Sequence, residues 1–194
     1  MNRLRKMKIL GLLLLFALLG FSSPESAVNT KGEMLWSSDR FLVWSDFKKK
    51  ASDYNAGDAA LTASSIQTQT SMMDKLLKIS VTAKFYPYQS WSLKNKQSDS
   101  LLKHEQLHFD ITELYARKTR KALLENIIYK KDYNKIGNVV SKYTKEWNQI
   151  QDLYDLESNH NRNLEGQKKW EKFISEELER YSDFEQTELV IMLK

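Results

Sequence analysis

The sequence has no cysteine, two prolines and three histidines in 194 residues. Without cysteine there is no disulfide framework, no thiol nucleophile, no thiolate metal site and no lipid-modified N-terminal cysteine. Any metal site must therefore be built from histidine and carboxylate. The prolines are Pro24 and Pro87, and no internal repeat or low-complexity block appears. What is present is ordinary for a globular chain: 41% hydrophobic and 28% charged residues, with five Trp, nine Tyr and eight Phe to build a core. The length allows one domain with at most a small appendage.

The formal charge of +5 suggests an acidic partner until the N-terminus is read. Arg3, Arg5, Lys6 and Lys8 precede an unbroken apolar run over residues 9–21, with small residues behind it. A basic start, a short apolar stretch and Gly20 and Ser22 describe a secretory signal peptide over residues 1–22, cleaved after Ser22. The run falls short of the roughly 20 residues of a bilayer span; an uncleaved anchor is the alternative. Loss of this segment removes four positive charges and no negative ones. That leaves 26 Lys and Arg against 25 Asp and Glu, a net of +1. No stretch interleaves basic residues with aromatics, so nucleic acid is not an expected partner. The expectation is an exported protein, periplasmic or extracellular, which meets the membrane only through its signal peptide.

Residues 23–35 are small and polar and read as a flexible lead-in to a single domain over 36–194. That domain has a β-like half and a helical half, hence α+β. Phe41-Leu42-Val43-Trp44 is β-prone, with a turn at Ser45-Asp46-Phe47, and Asn55, Gly57 and Asp58 mark a loop. Leu61 to Thr70 suits a strand with one polar face. Leu77, Ile79, Val81, Ala83 and Phe85 alternate with Lys78, Ser80, Thr82 and Lys84, which predicts a half-buried antiparallel strand. From Leu101 the apolar period becomes helical, with Ser98 or Asp99 as N-cap, to about Leu124. Asp132 or Asn134 caps a second helix with a stripe from Ile136 to Tyr154. Asp155 to Gly166 reads as a loop and Gln167 to Tyr181 as a third helix. Leu189 to Leu193 is a last strand or a packed tail.

Residues 104–108 read His-Glu-Gln-Leu-His. Residues four apart on a helix share a face, about 6 Å apart, so both imidazoles can converge on one Zn²⁺ at about 2.0–2.1 Å. Glu105 lies about 100° round the helix, where its carboxylate reaches a zinc-activated water as general base. Two of only three histidines hold the required spacing, with Glu in the required place. A catalytic zinc needs a third ligand. His160 is the candidate, with Asp155 and Glu157 as acidic rivals. Asp110 points to another face, and Glu113 pairs with Arg117 four residues on. Asp155 is the candidate to hold a ligating histidine from behind. Tyr154 either polarises the scissile carbonyl or completes the apolar stripe of its helix.

The stretch LLKHEQLHFDITELYAR, residues 101–117, resembles a bacterial secreted family catalogued as domain of unknown function 922, described as predicted secreted zinc-dependent proteases. Trp44, Asp46 and Phe47, then Ser90-Trp91, then YDLESNHNRNLEGQKKW over 154–170 resemble its other elements. The resemblance covers about residues 36–180. It implies a compact zincin-like α+β domain with an antiparallel sheet, the HExxH helix and two further helices. It supports His160 beside His104 and His108 as ligands, and matches Tyr154, Asp155, Gln167 and Trp170 to positions without assigned roles. Asn161 stands where Gly is common and Ser158 where Thr is common. The expected function is a secreted zinc metalloprotease acting on a peptide or protein. The alternatives are a zinc amidase acting on cell-wall peptides and a non-enzymatic envelope binding protein on the same scaffold.

Overall fold

The computed structural model describes residues 32–51 and 58–194. The expected signal peptide, most of the lead-in and the loop at Asn55 and Gly57 lie outside the described residues. The chain is α+β, with antiparallel sheets and, among the described residues, three α-helices. No helix among the described residues is long and apolar enough to cross a membrane.

The strand with the clearest alternation is the centre of the main sheet. It runs over Leu76–Phe85 and is β4 in chain order, after β1 (Met34–Leu35), β2 (Ala60–Leu61) and β3 (Ser64–Met73). Its odd residues, Leu77 to Phe85, are buried, and its even residues face outward. β3 pairs with all of β4, from Ser64 opposite Phe85 to Met73 opposite Leu76. The other side of β4 is shared by β1 and by β6 (Glu188–Met192), which pairs Leu189 with Ile79. The C-terminal apolar run is thus a strand. The lead-in ends earlier than expected, because Met34 is buried and pairs with Phe85. A second small sheet joins β2 to β5 (Trp91–Ser92).

Phe41-Leu42-Val43-Trp44 is not a strand; Trp44–Asp46 is a 3₁₀ turn. The reason lies in its backbone donors. Leu42 N–H donates to Gln106 Oε1 (2.7 Å), and Val43 N–H to Asp46 Oδ2 (2.9 Å). Side chains take the bonds that a neighbouring strand would have supplied.

The first helix, α1 (Asp99–Asn126), starts where the cap predicts: the Ser98 side chain accepts from Leu101 N–H. From His104 through Leu123 none of its residues is exposed. It is the middle layer of the domain. On one side Phe109, Ala116 and Leu123 pack with Ile79, Val81 and Phe85 of the sheet. On the other, Leu107, Ile111, Leu114 and Tyr115 pack with Tyr154, Trp170 and Ile174 of α2 (Ile136–Ser158) and α3 (Leu164–Arg180). A helix buried all round must pair its own charges. Glu113 accepts from Arg117 Nε (2.9 Å) and from Arg120 Nη1 and Nη2 (3.0 and 3.1 Å). The guanidiniums also reach the carbonyls of Val81, Leu178 and Phe184, which ties β4, α1 and the chain after α3 together.

Asp132 caps not α2 but the 3₁₀ turn before it, accepting from Tyr129 N–H (2.8 Å). The far end of α2 matters more for the site. It continues four residues past Tyr154, and Asn159 closes it in the left-handed conformation (φ 48°). Asn163 then caps α3 through Gly166 N–H. At Gly166 a Cβ would lie 2.4 Å from the Glu157 carbonyl oxygen, so only glycine permits this approach of the two helices. Gly166→Ala is expected to lower stability by about 1–3 kcal/mol. Thermal melting checks it; an unchanged Tm would mean that the junction opens freely.

Candidate metal centre

A spacing of four residues along α1 brings His104 and His108 together on one face. Their Nε2 atoms lie 3.2 Å apart, and Asp155 Oδ1 lies 3.1 Å from each. One ligand atom from each of the three falls within 4.8 Å of the others. Around a tetrahedral ion with bonds of about 2.0–2.1 Å, ligand atoms stand about 3.3 Å apart. The three side chains fit a small divalent cation of that kind. They also share proton chemistry. Burial would raise the Asp155 carboxyl, but the His104 and His108 imidazoles set against it hold it well below the usual carboxylate range. Burial would lower His108, but Asp155 and Glu105 more than offset that and raise it.

Each histidine is held from behind. His108 Nδ1–H donates to Gln151 Oε1 (2.6 Å), and His104 Nδ1–H donates to Gln167 Oε1 (3.3 Å). An amide oxygen can only accept, so each bond puts the proton on Nδ1 and leaves Nε2 to face the centre. Sequence reasoning assigned no role to Gln151. Its signal was its place four residues before Asp155, on the same face of α2.

Glu105 is buried, and its Oε2 has no hydrogen-bond partner. Burial raises its pKa, only partly offset by His108 and His104. It lines a cleft of about 400 Å³ with His104, His108 and Asp155. Residues 59–64 form one wall, Trp147 and Asn148 of α2 the other, and His160 and Arg162 also line it. A buried carboxylate that borders a cleft, with one oxygen lacking a hydrogen-bond partner, is placed to meet a water or a substrate proton.

Asp155 and His160 occupy positions different from those expected. Asp155 is on the last turns of α2, not in a loop, and its carboxylate reaches the two Nε2 atoms rather than the back of a ring. His160 stands beyond it, with Nδ1 3.5 Å from Asp155 Oδ1 and a side chain 55% exposed. The tight group is His104, His108 and Asp155, and His160 is its outer neighbour. Glu157, the other acidic rival, is engaged by Trp170 Nε1–H (2.8 Å).

Tyr154 is fully buried, with its ring centroid 4.7 Å from that of His104 and 4.9 Å from that of His108. Its hydroxyl donates to Gln167 Oε1 (2.7 Å), and burial pushes its pKa up. It does not line the cleft. The expectation that it touches a scissile carbonyl gives way to a supporting place behind the rings.

The turn that carries His160 is left-handed at three successive residues, Asn159, His160 and Asn161 (φ 48°, 49° and 67°). Asparagine tolerates this region better than most side chains, so Asn161 keeps a turn that glycine would also make. Its amide adds a contact glycine lacks, meeting the Ser100 hydroxyl at 2.7 Å on the first turn of α1. Ser158 is buried beneath the turn.

A bacterial family described as "Bacterial protein of unknown function (DUF922)" matches residues 39–161. That span holds His104, Glu105, His108, Gln151, Asp155 and His160, and stops short of Gln167. No curated protein and no solved structure matches the chain.

Proposed function

Because the chain belongs to the DUF922 family, whose function is unassigned, its chemistry has to be read from its own side chains, and we propose that it is a zinc-dependent hydrolase cleaving amide bonds, most directly a peptidase. The observation that carries this reading is the buried Glu105 carboxylate, its Oε2 without a partner, beside three side chains whose ligand atoms stand at metal-ligand spacing. His104, His108 and Asp155 would hold the ion, with His160 as a neighbour able to approach from the solvent side. Two imidazoles and a carboxylate suit zinc among the common divalent ions. Held there, zinc would supply Lewis acidity to polarise a carbonyl and acidify a water.

The protein's own groups do the rest. Glu105 takes the proton of the attacking water at its free oxygen and returns it to the departing amine. Its raised pKa suits a group that must both accept and release a proton. Gln151 and Gln167 keep both imidazoles aimed inward. Tyr154 packs against both rings and fixes their planes.

Export through residues 1–22 would place this activity in the periplasm or outside the cell, where peptides, proteins and cell-wall cross-links all offer amide bonds. Metal analysis of the protein lacking residues 1–22 tests the reading. Wild type should bind about one zinc. His104→Ala and Asp155→Ala should each lose most of it, and His160→Ala should retain more. Casein, short peptides and cell-wall fragments then identify the amide cleaved. Equal zinc in wild type and His104→Ala would overturn the metal centre.

A further inference from the structure

His104 and His108 converge on one point, but their rear hydrogen bonds are secured in different ways. Behind His108, the Gln151 amide nitrogen donates to the His108 carbonyl oxygen (2.9 Å). A main-chain carbonyl can only accept, so the backbone itself forces the Gln151 oxygen toward His108 Nδ1. Behind His104 there is no such anchor. Gln167 is buried, and its Oε1 meets the Tyr154 hydroxyl and His104 Nδ1. Neither neighbour dictates which way the amide faces. An imidazole Nδ1 either donates or accepts. The Tyr154 hydroxyl has a second acceptor in the His104 carbonyl at 3.4 Å, so it could receive a bond from Gln167 and donate there instead.

The neighbour that breaks this symmetry is Glu171, four residues on along the same face of α3, whose Oε1 accepts from Gln167 Nε2 (3.0 Å). A carboxylate cannot donate, so it holds the NH₂ end of Gln167 away from His104. Were the amide reversed, its NH₂ would face Nδ1, and the His104 proton would move to Nε2, the atom that faces His108 and Asp155. Asp155 Oδ1, 3.1 Å from that Nε2, pulls the proton in that same direction, so the orientation of Gln167 decides the balance. A protonated Nε2 cannot ligate a metal.

We propose that Glu171 is a positioning residue that sets the tautomer of His104 through Gln167, and with it the readiness of His104 to bind zinc. The zinc clause rests on the metal-centre reading; the tautomer clause does not.

Two variants separate this role from a general effect on folding. Glu171→Gln keeps the shape but accepts and donates equally, so Gln167 loses its bias. Gln167→Glu combined with Glu171→Gln puts two acceptor oxygens behind His104, which forces Nδ1–H whatever stands at 171. In the metal-free protein, the nitrogen-15 shift of His104 should show a protonated Nδ1 in wild type. Glu171→Gln should show an unprotonated fraction, and the double variant should return to wild type. Zinc affinity, measured by competition with a chelator, should fall about tenfold in Glu171→Gln and recover in the double variant, with His108 unchanged throughout. An unaltered His104 signal in Glu171→Gln, or a double variant no better than Glu171→Gln, would overturn the proposal. A wild type that binds no zinc would defeat the metal-centre reading alone, and the His104 spectra would still decide the role of Glu171.

Discussion

Glu105→Gln is expected to keep its zinc and lose its hydrolysis, with turnover falling by about 10²–10⁴-fold, the range ascribed to general acid–base catalysis. The substitution preserves size and lies outside the group of His104, His108 and Asp155, so metal content should stay at the wild-type value. What disappears is the free Oε2 and its capacity to take a proton. Glutamine cannot be a base, and its NH₂ would point a donor into a cleft that offers the water an acceptor. Burial, which raises the Glu105 pKa, should also make activity fall as pH drops through a value above the ordinary carboxylate range, because the protonated form cannot accept. Rate and zinc content measured on the same sample decide the matter. Full turnover with full zinc in Glu105→Gln would remove this residue from the chemistry.

The largest loss of stability is expected from Glu113→Ala. The Glu113 and Arg117 side chains are each about 4% exposed, and Arg120 is fully buried. One carboxylate serves two guanidiniums. Deleting it leaves two buried cations held mainly by carbonyl oxygens and by the half-exposed Glu185, 3.6 Å from Arg117 Nη2. Breaking a buried charge pair from one side costs about 3–5 kcal/mol. For a domain of this size that corresponds to a fall in Tm of roughly 6–20 °C. The matched control is Glu125→Ala, whose Lys121 partner is 3.9 Å away at the surface and whose loss should barely move the transition. Equal shifts in the two variants would mean that the buried cluster is not what fastens α1 to the sheet and to the chain after α3. Zinc binding in folded Glu113→Ala should match wild type, since no member of the cluster belongs to the metal group.

The parts of this molecule that were legible in sequence are those governed by local rules. The alternation from Leu77 to Phe85 fixes a strand because one face is core and the other solvent, and Ser98 opens a helix because its oxygen satisfies an orphan N–H. His104, Glu105 and His108 need nothing but helical spacing to fall together. The misreadings arise where distant partners override local preference. Phe41 to Trp44 has β-prone residues, but Gln106 and Asp46 take its backbone donors. Asn, Ser and His around 158–161 look like a loop from Asp155 onward, yet α2 persists because Asn159 accepts the left-handed conformation at its end. That single extension moves Asp155 from a supporting position to the centre. Gln167 and Glu171 carry no local signature of the places they take, which exist only once three helices are assembled, and Gln151 shows only its spacing to Asp155.

Between Lys103 and Leu124 every residue of α1 is buried or half-buried, and this constrains how the protein can change. Along that stretch two of the candidate metal ligands, Glu105, the core contacts and the Glu113 cluster follow one another with little surface between them. Drift there touches either the core or the candidate site at nearly every step. A descendant that lost the proposed hydrolysis would still have to retain the helix, since the sheet and both outer helices are built against it. On that helix, loss of the proposed function would be recorded at His104, Glu105 and His108, as isolated replacements in an otherwise preserved helix.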